Sequence, residues 1–261
     1  MRRLVMSLLL SLSVAPALAA MQANPVEWKV GKDTFKGVLV FDDSTAVKRP
    51  GLVMVPNWMG VTPSAIDKAR QIAGDDYVVL VADVYGKGKR PKDARQAGEF
   101  AKVLRDDRNT LRSRIGKSVV VLKAQAGKAP LDAGRIGALG FCFGGTTALE
   151  LARAGSDVAA VVSLHGGLST PLPAKEGAVR TSVLVLNGAD DRGVTADDIA
   201  AFGTEMDAAG ADWQFVNFSG AVHCFAEADA NSPPGCLYNE RAAKRAFEMM
   251  HDFFRERFAA K

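Results

Sequence analysis

The stretch GFCFGG, residues 140–145, lies between a run of small apolar residues, RIGALG at 135–140, and a segment of helical periodicity, TTALELARAG at 146–155. Glycines in this pattern allow a tight turn between a strand and a helix, and such a turn lifts the side chain at its tip out of the fold. A structural cysteine prefers a packed interior instead. The pattern therefore predicts that Cys142 is a nucleophile, and the alternative is a cysteine buried at a glycine-rich packing site.

Apolar runs recur on both sides of this turn, separated by segments of helical periodicity. Four of these runs are almost continuously apolar, which is typical of strands covered on both faces of a parallel sheet. Strands that alternate with helices indicate β-α-β units with right-handed crossovers. The predicted strands are PGLVMVPNW at 50–58, YVVLVADVYG at 77–86, GRIGALGF at 134–141, VAAVVSLHG at 158–166, TSVLVLNG at 181–188 and WQFVNFSG at 213–220.

Helical periodicity predicts the remaining secondary structure. The predicted helices are residues 64–75, one long segment at 93–127, 146–155, 196–211 and 239–258. Residues 26–43 alternate apolar and polar side chains around a turn, which favours an antiparallel hairpin at a sheet edge. No internal repeat or low-complexity linker divides the chain. We therefore expect a single α/β domain over residues 20–261, with a mostly parallel twisted sheet and helices on both faces.

Residues 1–19 have the pattern of a secretory signal peptide: two arginines, an apolar run and the small-residue motif ALA at 17–19. The alternative is a membrane anchor, but the apolar run is short for a bilayer span and Pro16 interrupts it. We therefore expect a mature chain that begins at Ala20 and works outside the cytoplasm, either secreted or periplasmic.

The composition is that of an ordinary globular protein, with 48% hydrophobic and 24% charged residues. The formal net charge of +4 is too small to favour nucleic-acid binding. No later apolar run is long enough to span a bilayer, so we expect no membrane association after removal of the signal peptide. We also expect a monomer.

The chain contains three cysteines, at positions 142, 224 and 236. An odd number of cysteines in an exported protein favours one free thiol and one disulfide. Cys224 and Cys236 are separated by a turn-forming segment, DANSPPGC at 229–236, which suits a local bridge. A Cys224–Cys236 disulfide is therefore a hypothesis, with two free thiols as the alternative.

Polar side chains that follow strands are candidates for the functional site, because ligands of open α/β sheets bind beyond the carboxyl ends of the strands. Asp190 and Asp191 follow the predicted strand at 181–188, and His223 follows the one at 213–220. A nucleophile followed along the chain by an acid and then a histidine is the order found in α/β-hydrolases.

The chain has only three histidines, which narrows the choice of a general base. His251 lies in the middle of the C-terminal amphipathic segment, where we expect a surface or packing role. His165 ends a strand and is expected to have a structural role or to contact substrate. His223 remains as the candidate base. Scattered histidines without close carboxylate or cysteine neighbours do not form a zinc site, and no G-x-G-x-x-G motif follows a first strand, so we expect no metal and no cofactor.

Three motifs in this order, GFCFGG at 140–145, GADDRGVT at 188–195 and GAVHCF at 220–225, resemble the dienelactone hydrolase family of α/β-hydrolases. The resemblance extends from the PNWMG loop at 56–60 to the C-terminal helix. It implies an α/β-hydrolase fold and hydrolysis of a carboxylic ester or lactone by a cysteine-type triad. The matching triad residues are Cys142, Asp191 and His223.

The family spacing favours Asp191 as the acid, and Asp190 remains the alternative if the loop is shifted by one residue. The oxyanion of the tetrahedral intermediate is expected to be bound by backbone N–H groups. One would be the N–H of Phe143, the residue after the nucleophile. The other would come from the loop after the first parallel strand, where Trp58 is the candidate.

The expected substrate pocket differs from that of well-known family members. Asn57 stands where they have a glutamate that contacts the thiol, so activation of the thiol would fall to the histidine alone. Lys87 and Glu227 stand where they bind a substrate carboxylate with two arginines, which argues against an anionic dienelactone as substrate. Arg90 and His165 are candidates to take over that contact. We expect a pocket lined by Asn57, Lys87 and His165.

Two other functions stay open alongside a hydrolase. One is a non-catalytic protein that binds a small molecule on the same scaffold, because Asn57 and Glu227 depart from the family pattern. The other is thiol redox chemistry between Cys142 and Cys224, although the chain has no C-x-x-C motif. The expected partner is a small-molecule ester or lactone.

Overall fold

The apolar runs form the centre of a mixed eight-stranded sheet in the computed structural model, which describes residues 21–259. The predicted signal peptide therefore lies outside the described residues. The strands are β1 Met21–Val30, β2 Asp33–Asp42, β3 Arg49–Val55, β4 Val78–Val81, β5 Leu131–Phe141, β6 Ala160–Leu164, β7 Ser182–Gly188 and β8 Trp213–Phe218, with the short β9 Asn231–Ser232 and β10 Cys236–Leu237 apart from them. The helices are α1 Pro63–Ala73, α2 Ala94–Asp106, α3 Arg108–Lys123, α4 Phe143–Arg153, α5 Ala196–Ala208 and α6 Glu240–Ala259.

The sheet has the strand order β1-β2-β4-β3-β5-β6-β7-β8. The first hairpin, β1 with β2, is antiparallel and forms one edge, as the alternating pattern of its sequence predicted. Strand β2 also pairs antiparallel with β4, and every pair from β4 to β8 is parallel. The continuous apolar runs thus form the parallel strands of the sheet. The carboxyl ends of these strands lie along one border of the sheet, which we name the carboxyl edge.

Helices cover both faces of the sheet and bury two separate apolar layers. One layer contains side chains of α2, α3, α4 and α5. The other contains side chains of α1 and α6, including the fully buried Phe254 of α6. Strand residues that alternate along β3 and β5 contribute to both layers, which explains the continuous apolar runs at 51–55 and 136–141. The predicted α/β-hydrolase architecture is confirmed by this arrangement.

The long segment predicted as one helix at 93–127 is two helices, α2 and α3. Asp107 lies between them with φ −115° and ψ 80°, outside the helical region. Its carboxylate accepts the backbone N–H of Thr110 at 3.0 Å and so caps the start of α3. Apolar periodicity continues through both helices and therefore did not reveal the break, which depends on a single capping residue.

The carboxyl edge of the sheet collects the polar residues that follow the strands. Cys142 comes directly after β5, and His165 comes directly after β6. Asp191 lies three residues after β7, His223 lies five residues after β8, and Asn57 lies two residues after β3. The topology thus brings residues separated by up to 166 positions to one edge of the sheet.

Candidate active site

Cys142 occupies a strained turn that its glycine neighbours make possible. The residue has φ 55° and ψ −118°, a backbone conformation that residues other than glycine rarely adopt. A Cβ atom at Gly140 would lie 2.0 Å from the carbonyl oxygen of Gly144, and one at Gly144 would lie 2.1 Å from that of Val55. The backbones are therefore packed too closely for any side chain at these two positions. This is the geometry of a nucleophile elbow.

Helix α4 begins at this turn without a side-chain cap. Cys142 is the N-cap residue, and its side chain makes no capping hydrogen bond. Its carbonyl accepts the first helical hydrogen bond, from the N–H of Thr146 at 3.1 Å. The N–H groups of Phe143 and the two glycines after it precede that bond and have no partner within the helix. The partial positive charge of the helix N-terminus therefore faces the sulfur and any anion beside it.

Cys142, His223 and Asp191 form a continuous hydrogen-bonded chain. His223 Nε2 lies 3.0 Å from Cys142 Sγ, and His223 Nδ1 lies 2.6 Å from Asp191 Oδ2. Asp191 is buried, whereas the side chain of His223 is 29% exposed. The acid is thus shielded from water while the imidazole and the sulfur face the surface, which is the arrangement of a nucleophilic triad.

The protonation of the triad follows from these contacts. Burial lowers the pKa of His223, but hydrogen bonds to Asp191 and Cys142, together with the charges of both groups, outweigh it and raise that pKa to about 10. Burial raises the pKa of Asp191, and the hydrogen bond and charge of His223 more than reverse this, so the carboxyl pKa is lowered. An imidazolium beside the ionised carboxylate of Asp191 is therefore the favoured state at neutral pH.

The loop after β7 settles which aspartate faces the histidine. Asp191 receives a hydrogen bond on Oδ1 from the N–H of Gly193 at 2.8 Å, which leaves Oδ2 for His223. Asp190 is exposed, and its backbone N–H bonds to the carbonyl of Ala221 at 2.9 Å. The structure thus brings Asp191 into the triad and leaves Asp190 at the surface.

A disulfide closes the segment that directly follows His223. Cys224 and Cys236 are bonded, with 5.0 Å between their Cα atoms, so the hypothesis of a bridge is confirmed. The N–H of Leu237 donates to the carbonyl of His223 at 3.1 Å, beside the bridge. The short β9–β10 ribbon lies within this closed loop and was not predicted. Cys142 is the one free cysteine of the three.

The two predicted oxyanion donors are connected through a tyrosine that the sequence analysis missed. Tyr85 donates its hydroxyl hydrogen to the carbonyl of Trp58 at 2.9 Å. Its ring stacks on that of Phe143, with 5.7 Å between the ring centres. The loop around Trp58 is held by Asn57, whose Oδ1 accepts the N–H of Met59 at 3.0 Å. Tyr85 comes just after β4, so its position at a strand end was the signal that would have identified it.

The predicted cations of the substrate pocket are bound elsewhere. Lys87 Nζ lies 2.9 Å from Glu27 in an exposed ion pair on the first hairpin, so we place Lys87 outside the candidate site. Arg90 lies 3.3 Å from the buried carboxylate of Asp83, and it also donates to the carbonyl of Lys36. Neither side chain is free to bind a substrate carboxylate in this structure.

Asn57 belongs to a buried polar group that we name the Glu227 cluster, composed of Asn57, Lys68 and Glu227. Glu227 Oε2 accepts Asn57 Nδ2 at 2.6 Å and Lys68 Nζ at 2.8 Å. The ammonium also lies 4.3 Å from the ring centre of Phe141, next to the nucleophile. Asn57 therefore uses both ends of its amide within the protein, in this cluster and in the Trp58 loop.

The other two histidines occupy different positions from the triad. His165 is fully buried behind Cys142, and we therefore assign it no contact with substrate. His251 packs on Tyr77 with 5.7 Å between ring centres, in the packing role that was expected of it. Within residues 21–259, no cluster of three or more His, Cys, Asp or Glu side chains is arranged to hold a metal ion. No helix in the described part of the chain is both long and apolar enough to cross a membrane.

Known proteins with a similar sequence or structure include dienelactone hydrolases and proteins described as like them. The structure named m3DLH is 36% identical with a TM-score of 0.86, and the match covers 92% of this chain and 99% of the other. A dienelactone hydrolase-like promiscuous phosphotriesterase, P91 from metagenomic libraries, is 34% identical with a TM-score of 0.85 over the same shares of both chains. An uncharacterized protein of Caenorhabditis elegans, K02A2.1, is 34% identical over 134 residues, which are 49% of this chain and 84% of that protein.

The family assignment rests on most of the chain. The pattern that defines the dienelactone hydrolase family matches residues 35–258, which include the elbow, both triad loops and helix α6. A putative dienelactone hydrolase from Klebsiella pneumoniae, at 19% identity and a TM-score of 0.75 over 90% of this chain and 99% of that one, shares the fold. The chain is a hydrolase of the dienelactone hydrolase family.

Proposed function

We propose that this protein hydrolyses a neutral carboxylic ester or lactone through a triad of Cys142, His223 and Asp191. The observation that carries the proposal is the continuous chain of contacts from sulfur to imidazole to carboxylate, at 3.0 Å and 2.6 Å, on a strained turn at a helix N-terminus. A cysteine in a purely structural position needs neither a charged imidazole nor a partly exposed sulfur.

The acylation half-reaction follows from these positions. Cys142 Sγ, having given its proton to His223, attacks the carbonyl carbon and forms a C–S bond. The carbonyl oxygen becomes an oxyanion, which the N–H groups of Phe143 and Trp58 stabilise by about 3 kcal/mol each. The C–O bond to the leaving group then breaks, and His223 returns its proton to the departing oxygen. The products are an alcohol, or the opened hydroxyl end of a lactone, and a thioester on Cys142.

Deacylation restores the enzyme by the same groups in reverse roles. His223, now neutral, takes a proton from water while the water oxygen attacks the thioester carbonyl. The C–S bond breaks, the carboxylic acid leaves, and the thiolate and imidazolium are re-formed. Asp191 holds Nδ1–H throughout, so that Nε2 faces the reacting atoms in both half-reactions.

The charges around the nucleophile support a neutral substrate. Lys68 is paired with Glu227, Lys87 with Glu27 and Arg90 with Asp83. An anionic substrate that bound one of these three cations would have to break its pair, and breaking the buried Lys68 pair would leave Glu227 unpaired. A neutral ester needs no such partner.

The test compares turnover of p-nitrophenyl acetate by the wild-type protein and by Cys142→Ala. We expect the variant to lose at least about 1000-fold in kcat, because no other group can form the acyl intermediate. Ser118→Ala is the matched control: this hydroxyl is also buried, but it lies on α3 away from the site and should leave kcat unchanged. Equal turnover by Cys142→Ala and wild-type protein would refute the proposal. Thermal stabilisation by an ester without turnover would instead support a non-catalytic binding protein.

A second reaction is favoured by one of the similar structures. P91 is described as a promiscuous phosphotriesterase and is 34% identical to this chain. The same thiolate could attack the phosphorus of a neutral triester, because the developing charge on the phosphoryl oxygen would meet the same N–H donors. Diethyl p-nitrophenyl phosphate provides the assay. We expect slower turnover than with the carboxylic ester, and Cys142→Ala should abolish it.

We also propose that the protein works outside the cytoplasm. The signal-like pattern at residues 1–19 and the disulfide between Cys224 and Cys236 both support this compartment. Expression of the full chain in a Gram-negative host, followed by fractionation and intact-mass measurement, tests the proposal. A periplasmic product whose mass corresponds to a start at Ala20 is expected. An uncleaved product in the cytoplasm would contradict it.

A further inference from the structure

His165 contacts the nucleophile from inside the protein. Its Nδ1 accepts the backbone N–H of Cys142 at 3.1 Å, a hydrogen that is shared with the carbonyl of Leu164 at 3.0 Å. The ring is fully buried between Phe141 and Phe225, and its centre lies 5.2 Å from that of His223. The backbone of His165 has φ 41°, so the residue holds this position at a conformational cost.

The hydrogen bond defines which nitrogen of His165 carries the proton. Since Nδ1 accepts an N–H, it must be unprotonated, and the neutral ring therefore carries its hydrogen on Nε2. Nε2 is buried, has no hydrogen-bond partner and lies 3.9 Å from Glu227 Oε1. Nε2–H thus lies near the buried carboxylate of Glu227, whose other oxygen is held by Lys68 and Asn57.

Burial and two of the charged groups around the ring favour this neutral state. His223 is an imidazolium on one side, and Lys68 is an ammonium on the side of the Glu227 cluster. Burial and these two positive charges hold the pKa of His165 well below its usual range. The carboxylate of Glu227 lies on the Nε2 side of the ring, and its attraction for Nε2–H favours the tautomer that leaves Nδ1 free as an acceptor.

We propose that His165 is a positioning residue, held in its Nε2–H tautomer by the Glu227 cluster so that Nδ1 fixes the backbone N–H of Cys142 and keeps the sulfur against His223. The inference rests on the proposed hydrolase function for its kinetic readout. Because the ring is fully buried, it reaches substrate only through Cys142. Its loss should therefore lower kcat and leave KM unchanged, whereas a substrate contact would change KM.

The experiment uses two amide variants that differ only in which ring nitrogen they mimic. His165→Asn places its side-chain oxygen near the position of Nδ1 and keeps an acceptor for the Cys142 N–H. His165→Gln reaches the position of Nε2 and loses that acceptor. We expect His165→Gln to lose about tenfold in kcat, the value of one hydrogen bond, and His165→Asn to stay within about threefold of wild type. Glu227→Gln should give an intermediate loss, since it removes the charge that selects the tautomer.

A second readout does not depend on turnover. Cys142 is the one free cysteine, so iodoacetamide alkylates it selectively. At pH 7 we expect His165→Gln to be alkylated about tenfold more slowly than His165→Asn, because a displaced sulfur loses its imidazolium partner. If the wild-type protein hydrolyses no ester while this difference persists, the proposed function fails and the positioning role stands.

The opposite results are equally clear. A merely structural histidine would give two amide variants with lowered melting temperatures but equal kcat values and equal alkylation rates. That outcome overturns the proposal, as does a change confined to KM in either variant. Unchanged kcat in Glu227→Gln would overturn the part assigned to the Glu227 cluster.

Discussion

Two polar triplets lie at the carboxyl edge of the sheet, one that contains Cys142 and one beside it. They differ in what their charged groups can do. Cys142, His223 and Asp191 form the first, and the imidazole at its centre is 29% exposed. The Glu227 cluster is the second, and its ion pair is enclosed, with side-chain exposures of 12% for Lys68 and 4% for Glu227. Both contain one carboxylate and one cation at hydrogen-bonding distance.

This difference shows how a proton-transferring triplet and a supporting triplet can lie side by side at the carboxyl edge. In the triad the cation is a histidine, whose proton can move to a leaving group and return. In the cluster the cation is a lysine that stays charged, so the pair holds neighbouring groups and transfers nothing. An enclosed fixed pair is costly to disrupt but chemically silent, whereas an open titratable pair is reactive. The predictions below perturb each triplet in turn.

The largest effect is expected from Asp191→Asn, which removes the charge of the first triplet but keeps its shape. We expect kcat to fall roughly 1000- to 10,000-fold, because the amide neither stabilises the imidazolium nor favours the needed tautomer. The pKa of His223, now about 10, should fall as well. Stopped-flow assays and NMR titration of the imidazole measure the two quantities. Asp190→Asn, on the exposed neighbour, is the control, and a similar loss there would contradict the assignment of Asp191.

The second triplet is broken by Lys68→Met, which leaves the Glu227 carboxylate buried without a cation. We expect the free energy of unfolding to fall by about 4 kcal/mol. Lys87→Met is the matched control, because it removes a lysine from an ion pair of similar length, 2.9 Å, that is about half exposed. That variant should lose less than about 1 kcal/mol.

Chemical denaturation at pH 7 compares these two lysine variants. Combining Lys68→Met with Glu227→Gln should recover part of the lost stability, since no unpaired charge then remains buried. Equal losses in the two single variants would show that enclosure of the Glu227 cluster has no energetic consequence.

The disulfide closes residues 224–236, a segment that directly follows His223 of the first triplet and contains Glu227 of the second. We expect the double variant Cys224→Ser/Cys236→Ser to lose about 3 kcal/mol of stability, the value for a closed loop of this size. Its melting temperature, measured by calorimetry, should match that of reduced wild-type protein. Equal melting temperatures for the double variant and the oxidised wild type would contradict this prediction.

A last comparison is the pH dependence of stability that His223 contributes. Its pKa is raised from the ordinary value of 6.5 to about 10 in the folded protein. Burial lowers this pKa, but the hydrogen bonds and charges of Asp191 and Cys142 outweigh burial. The folded state therefore binds a proton that the unfolded state lacks between these two values, and stability falls as pH rises from 6.5 towards 10. Denaturation curves over this range should show a shallower fall in Cys142→Ala, which removes one of the raising partners.

Several features were predictable from local sequence because they depend on local physics. The elbow around Cys142 requires glycines wherever backbones approach closely, and GFCFGG shows this directly. The continuous apolar runs predicted the parallel sheet, and the fold class, the family and the disulfide are confirmed. The catalytic role of the triad remains a prediction, although the structure brings its three members together.

Other features depended on partners that are distant in the chain. Lys87 was expected in the pocket, but it forms an ion pair with Glu27. Glu27 lies on β1, the edge strand that pairs with β2. In the sequence, Asn57 and Glu227 are two separate departures from the family pattern. In the structure their side chains are hydrogen-bonded, although the residues are 170 positions apart in the chain. No spacing rule relates such residues, because the sheet order determines which strand ends become neighbours.

The amino-acid sequence by itself determined the alternation of strands and helices, the glycine-tight turn at Cys142 and the chain order of nucleophile, acid and histidine. These follow from periodicity and steric limits within a few residues. Only the tertiary structure decided that Asp191 rather than Asp190 faces His223, that His165 lies behind Cys142, and that Lys68, Lys87 and Arg90 are paired. Those outcomes depend on distances between strand ends, and these distances exist only once the sheet has formed.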